Sequence, residues 1–425
     1  VGIRYGEAID FRPPEKNPLG LAIDLGTTSI AVYLVDMETG RTLASEGMMN
    51  PQRAYGDDVM SRISYAMSNG GGRLRQVVIE GLNDLIGKLC PEPECIMDVT
   101  LAGNTVMHHL FLGLPVKQLG LAPYLPVLKT SLDVKARDVG LHIAPGSYVY
   151  MLPNVAGFIG SDHIAMILAT RIHETDKTVI ALDIGTNTEI VLVHRGKTKS
   201  VSCASGPAFE GGHIKYGIGA ISGAIERVTI RNSDVEFQTV DGDDPIGICG
   251  SGVLDTVAEL CRLGFISRKG QLQSAPGVRQ CGSMAEFLLV SAEKSGTQKD
   301  ITITQKDIHE VQLAKAAIRT GIDMLLDEME IGWKEVEEVI ITGGFGASIN
   351  PESALAINMF PPLRREQFNV VKNAAGMGSK LTLISKSERA QAEKIGRKIS
   401  NLELMAHPHF NKRFAQSMYF STHIT

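Results

Sequence analysis

LAIDLGTTSIAVYLVD (residues 21–36) and VIALDIGTNTEIVLVH (residues 179–194) are two versions of one short text in a single chain. Each reads as an apolar strand that ends on an aspartate, Asp24 or Asp183, then a tight Gly-Thr turn, then a second strand. One such Asp alone would read as a turn-capping residue. Two copies in register imply a duplication, with two related lobes around a cleft.

The chemistry of the repeated turn points to phosphate. Glycine has no Cβ, so backbone N–H groups can approach an anion closely, and the neighbouring hydroxyl and amide side chains add donors. Two such hairpins facing each other would clamp the β- and γ-phosphates of a nucleotide. Their carboxylates would hold Mg²⁺ mainly through its waters, because Mg²⁺ dehydrates reluctantly. The chain contains no GxxxxGK[ST], which excludes a P-loop.

A third glycine-rich turn extends the nucleotide reading. VEEVIITGGFGASIN (residues 336–350) is an apolar strand running into Gly343, Gly344 and Phe345, where the backbone can pass close to a ribose or adenine. Upstream, ITQKDIHEVQLAKAAIRTGIDMLL (residues 303–326) opens with Thr304 and Asp307 as a capping pair and reads as a helix. Its apolar stripe is Ile308, Val311, Ile318, Ile322 and Leu325, and Lys315 falls on that stripe. Lys315 is expected either to snorkel or to reach the adenine or ribose edge.

The length of 425 residues exceeds what one hydrophobic core usually serves, so two lobes are expected. A net charge of -5 and no Lys/Arg stripe interleaved with aromatics argue against nucleic acid as a partner. No apolar run approaches the ~20 residues of a membrane span, and no signal peptide is seen, so a cytoplasmic protein with reduced thiols is expected. Cys90 and Cys95 form a C-x4-C pair without the following C-x2-C, which leaves no complete iron–sulfur motif. Adjacent His108 and His109 cannot face one way on a helix, and are expected to be one core and one surface residue.

The expected organisation is a tail of an upstream domain and linker at 1–18, a first lobe at 19–176 with an insertion at about 115–150, and a second lobe at 177–425 carrying the C-terminal helices. NPQRAYGDDVMSRI, LAGNTVMHHLFLGLP, SGPAFEGGHIKYGIGAI, ICGSGVLDTVAEL, ITQKDIHEVQLAKAAI and ITGGFGASINPESALAINMFPP then follow in order. With the two hairpins, this order resembles the acetate/sugar kinase, heat-shock chaperone and actin superfamily. Within it, the chain is most similar to the ATP-dependent reductive activators of corrinoid proteins, over nearly all of its length from Gly20.

The resemblance implies an α/β fold of two duplicated ribonuclease-H-like lobes, with ATP and Mg²⁺ as ligands. Asp24 and Asp183 would serve Mg²⁺, while Gly26, Thr27, Thr28, Gly185, Thr186 and Asn187 would line the phosphates. Asp162, in VAGFIGSDHIAM, stands where the superfamily places a carboxylate near the attacking water; a helix N-cap is the alternative. Asn104 would sit near the same phosphates or serve the turn, and Gly250 joins the nucleotide set. The loop 203–220 would be mobile and face the partner, with Ser205 or His213 approaching the corrinoid.

The implied task is ATP-driven return of inactive Co(II) corrinoid protein to Co(I), by a homodimer. Family members carry an iron–sulfur ferredoxin-like domain and a middle domain ahead of the ATPase lobes. Both are expected to be absent here except for the strand at 1–11, so the iron–sulfur cluster belongs only to the missing part. The rival classes are a small-molecule kinase, acting on a sugar or acid, and a nucleotide-dependent binding module.

Overall fold

The near-continuous burial of the strand Leu19–Leu25 fits its place at the centre of one six-stranded sheet, covered on both faces. The computed structural model describes residues 2–4, 6–10, 17–231, 234–344 and 346–420. They divide into two compact units, one of Val1–Asp176, Arg195–Lys199 and Asn373–Asn401, the other of Lys177–His194, Ser200–Lys372 and Leu402–Thr425.

In the first unit the sheet order is Thr42–Met49, Ser29–Asp36, Leu19–Leu25, Ile96–Gly103, Tyr148–Met151, Leu132–Lys135. Leu19–Leu25 pairs antiparallel with Ser29–Asp36 and parallel with Ile96–Gly103. In the second unit Val179–Ile184 pairs antiparallel with Thr188–His194 and parallel with Glu338–Thr342, which in turn pairs parallel with Phe368–Val370. The two units therefore share one order around the Asp-bearing strand, and the duplication read from two hairpins extends to whole sheets. This is the α/β, duplicated ribonuclease-H-like architecture.

Packing follows the sequence periodicity. The helix Gly72–Leu89 buries Leu74, Val77, Val78, Leu82, Leu85 and Ile86, each contributing roughly 1.5–3 kcal/mol of transfer free energy when fully buried. Helix Val59–Asn69 starts on a capping box between Asp58 and Ser61, and Gln305–Glu328 starts on the expected one between Thr304 and Asp307.

Three expectations change. The segment Asn373–Asn401 folds with the first unit and not with the second. Gly378 of the helix Ala374–Ile384 packs so tightly on the helix Ser161–Thr170 that an added Cβ would stand 2.0 Å from the Ala165 carbonyl oxygen. Ser379 donates to the Ile23 carbonyl at 3.2 Å, and Asn373 to the Tyr33 hydroxyl at 2.8 Å. Second, the N-terminal hairpin Gly2–Arg4/Glu7–Asp10, expected as the tail of an upstream domain, groups with the first unit: Arg4 pairs with Asp98 and Asp133, and Lys135 with Glu7 at 2.7 Å. Third, His108 and His109 are both fully buried, because the helix Thr105–Leu112 is apolar all round. Burial holds the His108 pKa down at about 3.

Candidate functional site

The site residues of each unit collect at the carboxyl ends of its central parallel strands, the usual ligand position of open α/β sheets. In the first unit Asp24 pairs with Ala102, and Leu25 with Gly103. A Cβ on Gly103 would stand 2.6 Å from the Leu25 carbonyl oxygen, so only glycine lets the strands close there. Ser161 accepts from the Gly103 N–H at 3.0 Å and donates to its carbonyl at 3.1 Å. These bonds place the start of the helix Ser161–Thr170, and with it the half-buried Asp162, at the strand end beside Asp24. Gly160 is the N-cap of that helix, so Asp162 is not the cap.

Asn104 is the N-cap of the helix Thr105–Leu112. Its Oδ1 accepts from Val106 N–H at 3.0 Å and its Nδ2 donates to the Phe158 carbonyl at 2.8 Å. Both ends of the amide are engaged and the side chain is buried, which favours the structural alternative over a phosphate contact. Asn104→Ala is therefore expected to lower stability by about 1–2 kcal/mol, the usual worth of a cap, and to leave nucleotide affinity intact. Denaturant melts beside nucleotide titrations check this; a lost affinity at unchanged stability would contradict it.

In the second unit Asp183 pairs with Thr342, and the chain then turns at Gly343 with φ +99. A Cβ at Gly343 would lie 2.5 Å from both Asp183 Oδ1 and the Ile184 carbonyl oxygen. Asp183 and Gly343, distant in sequence, are thus in direct contact. Gly103 and Gly343 hold the same place in the two units, one residue beyond the partner of the aspartate, a repeat that the sequence reading missed. By surface area Asp183 is half-buried, yet its carboxyl is packed deeply enough that burial alone pushes its pKa up to about 6. Gly344 is exposed, with open space where a Cβ would stand; Phe345 lies outside the described residues.

The turn Gly185-Thr186-Asn187 is held by the following loop. Ser205 donates to the Gly185 carbonyl at 3.0 Å and shares a 2.8 Å bond with Thr188, and Gly206 N–H donates to the Thr186 carbonyl at 2.9 Å. The Thr186 hydroxyl donates to Glu210 at 2.5 Å. Glu210, invisible as a site residue in the sequence, brings a further carboxylate to this turn.

Two predicted site residues, Ser205 and Lys315, land elsewhere than expected. Ser205 is buried and belongs to the turn, and its loop is not loose: Phe209 and Ile214 enter the core, and Lys215 binds Glu286 at 2.8 Å. His213 remains exposed, 3.7 Å from Glu310. Lys315 does not snorkel. It is fully buried, donating to the Tyr419 carbonyl with the Phe420 ring 5.0 Å from its Nζ, and burial pushes its pKa down to about 7. Gly250 is the buried first residue of the helix Gly250–Arg262.

Among the described residues no group of three or more His, Cys, Asp or Glu is arranged to hold a metal ion, and no helix is long and apolar enough to cross a membrane.

Comparison with known proteins agrees with this layout. The chain is 35% identical over 435 aligned residues to the corrinoid activation enzyme RamQ of Eubacterium limosum, covering 98% of this chain and 73% of that one. It is 25% identical over 422 residues to the [Co(II) methylated amine-specific corrinoid protein] reductase of Methanosarcina barkeri, covering 91% and 74%. A solved structure, the reductive activator for corrinoid, iron-sulfur protein, superposes with a TM-score of 0.89 at 38% identity, covering 96% of this chain and 67% of that one. The C-terminal domain of RACo, the ASKHA domain, matches residues 177–425, and the RACo middle region matches residues 19–175. The middle region expected to be absent is therefore present, and it covers the first of the two sheets. On this evidence the chain belongs to the RACo family, the family of corrinoid reductive activators.

Proposed function

We propose that this chain binds Mg·ATP and couples its hydrolysis to the one-electron return of a Co(II) corrinoid protein to Co(I). The observation that carries the reading is the repeated turn: in each unit an aspartate ends a central strand beside a Gly-Thr turn and a close-packed glycine. Phosphate needs converging donors, and Mg²⁺ needs hard oxygen ligands. Asp183 fits such a role because its carboxylate is held in place against Gly343, and because burial raises its energy until a cation offsets it.

In this reading Asp24 and Asp183 hold Mg²⁺, largely through its waters. Gly26, Thr27, Thr28, Gly185, Thr186 and Asn187 take the phosphates, and Gly343 and Gly344 the nucleoside. Asp162 orients the attacking water. Mg²⁺ neutralises phosphate charge; the chain's own groups fix where that charge sits. Names of relatives at 35% and 25% identity supply the corrinoid partner, and an upstream iron–sulfur domain supplies the electron.

The energetic logic is population shift. For one electron, each ~59 mV of deficit costs a factor of ten in the equilibrium, so a donor that is too weak reduces only a small fraction of the cobalt. A conformational step driven by hydrolysis, and favouring one redox state of the partner, moves that equilibrium without ATP touching cobalt. ATPase activity with and without Co(II) corrinoid protein tests the coupling: stimulation supports it. Turnover driven by a sugar or organic acid instead would install the kinase reading.

A further inference from the structure

The motif NPQRAYGDDVMSRI, which the nucleotide reading leaves unused, forms a buried polar network directly under the first turn. Arg62 is fully buried. Its Nη2 donates to the Thr27 carbonyl at 2.6 Å, its Nε to the Gly56 carbonyl at 2.9 Å, and its Nη1 contacts Gln52 Oε1 at 3.3 Å and Met107 Sδ at 3.0 Å. Asn50 completes the set: its Nδ2 donates to the Gly26 carbonyl at 2.8 Å and its N–H to the Thr28 carbonyl at 2.9 Å. Three consecutive carbonyls of the turn are thus drawn to one side. The guanidinium's hydrogen bonds go to carbonyl, amide and thioether acceptors, while Asp58 and Asp57 act on it only through space.

We propose that Arg62, with Asn50, is the positioning device that makes the Gly26-Thr27-Thr28 turn an anion site. Carbonyl oxygens repel phosphate, and here they are turned inward. Because the trans peptide sets N–H opposite C=O, the amides of the same peptides are turned the other way. A buried guanidinium bonded to neutral acceptors, with Asp58 and Asp57 acting only through space, is costly, and the cost is offset when a polyphosphate brings further negative charge nearby in a medium that screens weakly. Burial lowers the Arg62 pKa only to about 10, so the side chain stays charged at neutral pH. Gly56 is fixed by the same network, since a Cβ there would meet Ser61 Oγ at 2.5 Å.

This inference rests on the nucleotide reading, and its test separates the two. Titrations of ATP and of adenosine are run on the wild type, Arg62→Met, Arg62→Lys and Asn50→Ser, with melts to monitor folding. Arg62→Met is expected to weaken ATP by about tenfold or more, the scale of a charge-assisted hydrogen bond, while adenosine binding holds. Lysine should recover part of the loss by restoring the charge, and Asn50→Ser should weaken ATP selectively while keeping it. Should Arg62→Met fail to fold, Asn50→Ser and Arg62→Lys decide alone. ATP affinity equal to wild type in the folded variants, or equal losses for ATP and adenosine, overturns the positioning role. A wild type that binds no ATP overturns the nucleotide reading instead.

Discussion

Asp183→Asn is expected to lower Mg²⁺-dependent nucleotide affinity by about a hundredfold, at the upper end of what removing a metal-orienting group costs. The substitution is nearly isosteric, so packing against Gly343 is kept and the fold should persist. The wild type should also show a pH signature. Burial raises the Asp183 pKa to about 6, above the ordinary 3.8. The carboxylate is thus lost as pH falls through about 6, and affinity should rise by about tenfold from pH 5 to 7, then level off. For the unliganded protein the sign reverses. A raised acid pKa contributes stability that is full below about 3.8 and is lost as pH rises through about 6. Isothermal titration across this range checks the affinity, and denaturant melts of the unliganded protein check the stability. An affinity profile in Asp183→Asn that matches the wild type would sink the assignment.

Gly343→Ala should be strongly damaging to the second unit and to the site it carries. It would set a Cβ 2.5 Å from Asp183 Oδ1 and from the Ile184 carbonyl oxygen, at a φ of +99 that L-residues avoid. Left-handed strain of about 1–2 kcal/mol and overpacking of about 1–3 kcal/mol should add to a loss of several kcal/mol, with nucleotide binding lost as Asp183 is displaced. Gly344→Ala is the internal control: nothing lies within 4 Å of its Cβ position, so stability should hold. Equal melting midpoints for Gly343→Ala and wild type would show that the turn relaxes freely.

The hairpins were legible because aspartate and glycine stand at fixed places in an apolar strand, and that local pattern survives divergence. Partners made across the fold were not. Arg62 lies in a motif that was noticed, but its role depends on carbonyls contributed by a turn 35 residues earlier. Ser205 looked like a partner contact because its segment is rich in glycine; two buried apolar anchors, Phe209 and Ile214, decide the opposite. Lys315 sits on the apolar stripe that the spacing predicts, and what covers it, the Tyr419 carbonyl and the Phe420 ring, lies about a hundred residues further along the chain, beyond any local signal. The helix Ala374–Ile384 follows the second unit in sequence yet folds with the first, through a Gly378–Ala165 approach that no local signal encodes.

The most direct test of the central claim is optical. A Co(II) corrinoid protein is mixed with the full activator and a reductant too weak to produce Co(I) alone, and cobalt absorbance is followed beside phosphate release. The account predicts Co(I) formation that requires ATP, phosphate release that rises when the Co(II) protein is added, and loss of both in Asp183→Asn. Co(I) appearing equally without ATP, or ATP turnover indifferent to the corrinoid protein, would contradict it.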